Sequence, residues 1–102
     1  MPRGLAKVLK LVRALAVERN VRFTLKALRE LAALRLDATD ACEALEGLRT
    51  PDFVKRLVSE ATGEWMYVFK PGISIYLKLI LRDGCVVVSF HEDEDGHDEE
   101  SA

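Results

Sequence analysis

The chain is expected to adopt an α+β fold, with N-terminal helices packed on one face of a C-terminal antiparallel sheet. Three observations point there. Apolar residues recur at helical spacing through the first half. Near Phe53 the period changes from 3.6 toward 2. Asp83-Gly84 then sits between two alternating runs, the strongest short-range signal for a hairpin. Helices that come first and strands that follow segregate into layers, unlike the alternating order of a parallel α/β protein.

The first element is an amphipathic helix over roughly residues 3–18. Leu5, Val8, Leu9, Val12 and Leu15 form its stripe, with Lys7, Lys10 and Arg13 between them. Asn20 breaks the pattern, and Val21-Arg22-Phe23 reads as a short strand or a linker. Thr24 can cap a second helix whose buried side is Leu25, Leu28, Leu31, Ala32 and Leu34. Asp37 caps a third, accepting from the amide of Asp40, and early acids suit the positive helix end. Ala41, Cys42, Ala44, Leu45 and Leu48 supply its apolar face. Thr50-Pro51-Asp52 opens a single turn, with Pro where no amide donor is needed.

Strands follow. Lys55, Leu57 and Ser59 alternate with Arg56 and Val58, and Ala61-Thr62-Gly63 is a turn. Trp65 to Phe69 is rich in aromatic and β-branched residues. Lys70-Pro71-Gly72 turns the chain into a long strand, Ile73 to Arg82, and Cys85 to Phe90 completes the hairpin.

Composition bounds the protein class. A length of 102 residues is that of one domain, and 49% hydrophobic residues is ordinary for a folded one. No apolar run approaches the roughly 20 residues of a membrane span. The charged N-terminal segment argues against a secretory leader, so a cytoplasmic protein is expected. Cys42 and Cys85 form no CxxC pair and read as reduced, buried thiols. A net charge of −2 hides an asymmetry: residues 1–91 carry +5, and the tail 92–102 carries −7. Residues 1–91 are therefore expected to be the folded domain, with a basic body able to hold a polyanion, and 92–102 a disordered acidic tail. That tail either only solubilises the protein or folds over the basic face in competition with nucleic acid.

The hairpin fixes a candidate site. A two-residue loop at Asp83-Gly84 pairs Arg82 with Cys85, Ile80 with Val87, Lys78 with Ser89 and Tyr76 with His91. Tyr76, Lys78, Arg82, Ser89 and His91 then share one face. Leu77, Leu79, Leu81, Val86, Val88 and Phe90 form the core on the other. Such a polar face is either ordinary solvated sheet or a site for cutting RNA without metal. That reaction needs a base for the 2′-OH, cations for the charge on phosphorus and an acid for the leaving oxygen. Histidine titrates near neutrality, Lys and Arg stabilise charge, and Tyr orients, donates or stacks. Metal, phosphate-loop and thiol or serine nucleophile signatures have no match: His97 lies in the tail, glycines are scattered and no CxxC or HExxH occurs. No cofactor is expected.

Several segments together resemble a known family. They are Val21-Arg22-Phe23-Thr24 before a helix, Asp52-Phe53-Val54-Lys55, and Trp65-x-Tyr-Val-Phe with Pro71. Ile75-Tyr76-Leu77-Lys78 and Val86-Val87-Val88-Ser89-Phe90-His91-Glu92 complete the set. In this order and spacing, over roughly residues 7–92, they resemble MqsR-type toxins. The resemblance implies a RelE/YoeB-type fold and an mRNA interferase of a type II toxin–antitoxin module. Such an enzyme cuts single-stranded mRNA and is blocked by a cognate antitoxin. It also implies catalytic roles for Lys55, Tyr76 and His91, although His91 falls where the family usually has lysine. Two further departures are Met66, in the place of a glutamine implicated in activity, and Arg56-Leu57-Val58 after Lys55. Arg56, Lys78 and Arg82 are candidate RNA contacts. A module of the same fold that binds RNA or a partner without cutting is the competing expectation. Neither reading fixes the oligomeric state.

Overall fold

The computed structural model describes residues 4–72 and 74–93. The acidic segment from Glu94 onward, with His97, and the first residue assigned to the long strand, Ile73, lie outside them. The elements are α1 (Leu5–Val17), β1 (Val21–Phe23), α2 (Leu25–Ala33), α3 (Ala38–Glu46), a 3-10 turn (Thr50–Asp52), β2 (Phe53–Val58), β3 (Trp65–Phe69), β4 (Ile75–Leu81) and β5 (Cys85–Glu92). Helices do precede the main sheet, as the periodicities require.

Capping residues act as their chemistry dictates. Thr24 accepts from the Ala27 amide at 3.0 Å, and Asp37 accepts from Asp40 at 3.0 Å. The Asp40 carboxylate returns a bond to the Asp37 amide at 2.9 Å, closing a capping box.

The sheet has five strands in the order β1-β5-β4-β3-β2. It is mixed, where an antiparallel sheet was expected. The short segment Val21–Phe23 is a strand, and it pairs parallel to β5, with Val21 beside Cys85 and Phe23 beside Val87. One face carries the core: Leu77, Leu79, Cys85, Val87 and Phe90 pack with Phe69 against Leu5, Leu9, Val12 and Ala16 of α1, Ala27 and Leu31 of α2, and Cys42 and Leu45 of α3. Both cysteines are free and buried.

Two expectations are corrected. The β4–β5 loop has three residues, Arg82 to Gly84, so Leu81 lies opposite Cys85 and Ile80 opposite Val86. Arg82 does not pair with Cys85, nor Ile80 with Val87. Asp83 and Gly84 both have positive φ, 50° and 115°. A Cβ on Gly84 would also lie 2.6 Å from Asn20 Oδ1, so glycine is required there. A bulge at Val88 then restores the register, and Lys78–Ser89 and Tyr76–His91 pair as expected. In consequence Cys85 and Val87 face the helices, and Val86 lies on the opposite face beside Ile80. Val88 is half-buried at the bulge and not part of the core.

The second correction concerns α2. Its buried residues are Ala27 and Leu31, while Leu25 and Leu28 are 62% and 45% exposed and Ala32 is exposed. The helix is rolled because it lies along the edge of β5. The Thr24 amide donates to Val87 O at 3.1 Å and the Thr24 hydroxyl to Val88 O at 3.2 Å. Small Ala27 permits that approach.

Candidate functional site

Register places the second face of the sheet as a lattice of cross-strand rows. One row runs Lys55–Val68–Lys78–Ser89 across β2, β3, β4 and β5. A second runs Leu57–Met66–Ile80–Val86, with Arg22 of β1 beyond. The third holds Tyr76 and His91. Apolar side chains therefore form one band, cations the next, and the two rings the end.

The rings of Tyr76 and His91 are stacked, with centroids 4.8 Å apart and planes 11° from parallel. His91 Nδ1 lies 2.8 Å from the carbonyl of Glu92. A carbonyl only accepts, so Nδ1 carries the hydrogen and, in the neutral ring, Nε2 keeps the lone pair. Stacking and the backbone bond together fix the ring plane and its tautomer.

Among the described residues neither Lys55 nor Lys78 has an ion-pair partner, so both ammonium groups are available to a ligand. Lys78 is two residues from Tyr76 on β4 and diagonal to His91, about 7–8 Å away by sheet geometry. Lys55 is two strands farther out, on the order of 10 Å from Lys78. The nearer cation to the ring pair is thus Lys78.

Arg82 stands on the same face, at its far end, but is engaged by Glu64. Its Nε donates to Glu64 Oε2 at 2.9 Å, and a second bond joins Nη2 to Oε1. The Arg82 hydrogen bonds, with help from Thr62, hold the Glu64 carboxyl down to about 2. Arg56 is not brought to the site. It pairs with Tyr67 on the helix-bearing face, where its guanidinium sits 4.0 Å over the Trp65 ring, which is 46% exposed at the rim.

Two residues join the site that sequence reasoning missed. Lys26 of α2 donates to the buried hydroxyl of Ser89 at 2.9 Å, extending the lysine row past β5. Glu30, one helical turn on, pairs with Lys26 at 2.8 Å and accepts the Phe90 amide at 2.8 Å. Burial works against its ionisation. The Lys26 bond, the Phe90 amide and the charges of Lys26 and His91 outweigh that, and the carboxyl titrates below its usual range. No local signal could reveal either residue, because both depend on the pairing of β1 with β5 across the whole chain.

Burial pushes the Cys85 thiol up to about 12, unsuited to nucleophilic work. Among the described residues no three His, Cys, Asp or Glu side chains cluster as metal ligands would. Nor is any helix among them long and apolar enough to cross a membrane.

A search of curated proteins returned no match. The family model described as motility quorum-sensing regulator, toxin of MqsA, matches residues 5–92, which takes in every described strand and helix. The chain therefore belongs to the MqsR toxin family and is the toxin of a toxin–antitoxin module, with a cognate antitoxin as its partner.

Proposed function

We propose that this toxin is an endoribonuclease that cleaves single-stranded mRNA in the cytoplasm by attack of a 2′-OH on the adjacent phosphate, without metal. The observation that supports the reading best is the His91–Tyr76 pair beside Lys78 and Lys55, which have no ion-pair partner among the described residues. With Nδ1 committed to the Glu92 carbonyl, Nε2 is the atom that exchanges a proton with substrate. As the neutral ring it takes the proton of the 2′-OH; as imidazolium it protonates the leaving 5′ oxygen. Tyr76 holds the ring plane, and its phenol is the second candidate for proton donation. Lys78 is placed to offset charge building on the phosphoryl oxygens, and Lys55 and Lys26 to hold neighbouring phosphates of the strand. Arg82, already engaged by Glu64, is a weaker contact. Arg56 is reachable only by RNA that wraps over the β2 edge.

Purified toxin incubated with a labelled single-stranded transcript tests this directly. Cleavage unaffected by EDTA, with products ending in a 2′,3′-cyclic phosphate, is expected, and His91→Ala should reduce it by orders of magnitude. Intact RNA with either EDTA or Mg²⁺ present would defeat the nuclease reading. Retardation on a gel without products would instead identify a binding module. The half-buried Met66 in the apolar row favours that second reading, because it offers surface without a proton or hydrogen bond.

A further inference from the structure

Among the described residues no strand closes the edge of β5 next to His91. Strand β1 covers only Cys85 to Val87, and beyond the bulge α2 takes over. There the Phe90 amide, one residue before His91, finds its acceptor in the Glu30 carboxylate at 2.8 Å. The other Glu30 oxygen holds Lys26 at 2.8 Å, and Lys26 reaches Ser89 Oγ at 2.9 Å. Ser89 and Phe90 are both nearly fully buried, so an unpaired amide or hydroxyl here would be costly. A single side chain thus fixes the backbone carrying His91 and the cation that ends the lysine row.

We propose that Glu30 is a positioning residue of the RNA site: it pins β5 at Phe90 so that His91 keeps its stack on Tyr76, and it sets Lys26 over Ser89 as an additional phosphate contact. The inference rests on the ribonuclease reading of the same face. A carboxylate suits the position better than an amide, since it serves a neutral donor and an ammonium at once. Glu30 acts through Phe90 and Lys26 and need not touch substrate.

The test compares Glu30→Gln, Glu30→Ala and Lys26→Ala with the unsubstituted toxin, well below each melting midpoint. Cleavage of a labelled single-stranded RNA is measured alongside exchange of the Phe90 amide and the His91 ring resonances by NMR. Glu30→Gln retains an oxygen for the Phe90 amide, so kcat should stay within about two-fold while KM rises. Lys26→Ala should likewise raise KM and spare kcat. Glu30→Ala should speed Phe90 exchange, move the His91 resonances and lower kcat by about ten-fold or more. If that variant does not fold, Glu30→Asp, which keeps the charge but falls short of Phe90, is expected to lose kcat in its place. Wild-type kcat in the Ala variant, or equal kcat loss in Gln and Ala, overturns the proposal. Should the unsubstituted toxin cut no RNA, the nuclease reading fails on its own. Unmoved His91 resonances and unchanged Phe90 exchange in Glu30→Ala would then overturn the positioning role separately.

Discussion

The imidazole of His91 lies flat against the phenol of Tyr76, and the two residues occupy directly opposed positions on β5 and β4. The stack restricts the ring while the Glu92 carbonyl fixes its tautomer, so the two contacts divide the work of orientation. His91→Ala should lower RNA cleavage by about 10²–10⁴-fold, the range for a lost general acid or base. Tyr76→Phe keeps the stacked ring and removes only the hydroxyl. Its rate, compared with that of Tyr76→Ala, separates orientation from proton donation. A Phe variant at wild-type rate with a crippled Ala variant would identify Tyr76 as a ring support.

The lysine row predicts a graded electrostatic response. Lys55→Ala and Lys78→Ala should each reduce the slope of log K against log salt by about 0.7 for a single-stranded RNA. Lys78, nearer the ring pair, should also lower kcat, whereas Lys55 should act mainly on affinity. Salt titrations of binding, paired with single-turnover rates, check both halves. Equal kcat losses would show that distance from His91 is not what ranks the lysines.

The Glu64–Arg82 pair predicts acid sensitivity. The folded carboxyl is held down to about 2 from an ordinary 4.5. A depressed carboxyl stabilises the fold above the unfolded value, and that contribution fades as pH falls from about 4.5 through 2. Glu64→Gln should therefore be less stable than wild type at pH 7 and converge with it near pH 2. Urea midpoints across this range measure the convergence. A constant gap at every pH would show that the pair's charge contributes nothing.

Thr24 performs two tasks with one hydroxyl, capping α2 through the Ala27 amide and donating to Val88 O at the bulge. Thr24→Val should cost about 1–2 kcal/mol of stability, the sum of a lost cap and an unpaired carbonyl. Thr24→Ser should recover most of it. Denaturant unfolding decides.

The Asp37 and Thr24 caps, the Thr50-Pro51 turn and the strand at Trp65–Phe69 were all readable, because each depends on neighbours a few residues away. The Tyr76–His91 pairing was readable for a less direct reason. The loop is one residue longer than the Asp83-Gly84 pair suggests, and the bulge at Val88 cancels that slip before Ser89. Between the two, Val86 and Val87 exchange faces, an exchange no alternation pattern reveals in a run of three valines. The roll of α2 was equally hidden. Its leucines spell a buried stripe at Leu25 and Leu28, but the packing of α2 along β5 buries Ala27 and Leu31 instead and brings Lys26 and Glu30 to the β5 edge. Arg56 alternates with Lys55 along β2, as the sequence pattern has it, so Lys55 looks onto the site and Arg56 away from it.

The position of β5 in the sheet also governs when the toxin can exist. It is the last strand among the described residues, yet it sits between β4 and β1, and its Cys85 partners Val21, 64 residues upstream. A nascent chain still lacking it has no acceptor for β1, no rail for α2 and no His91. Such long-range closure is slow compared with hairpin formation. Until β5 is made, the face that carries the Tyr76–His91 pair is therefore absent, and every earlier element of the sheet waits on that one strand.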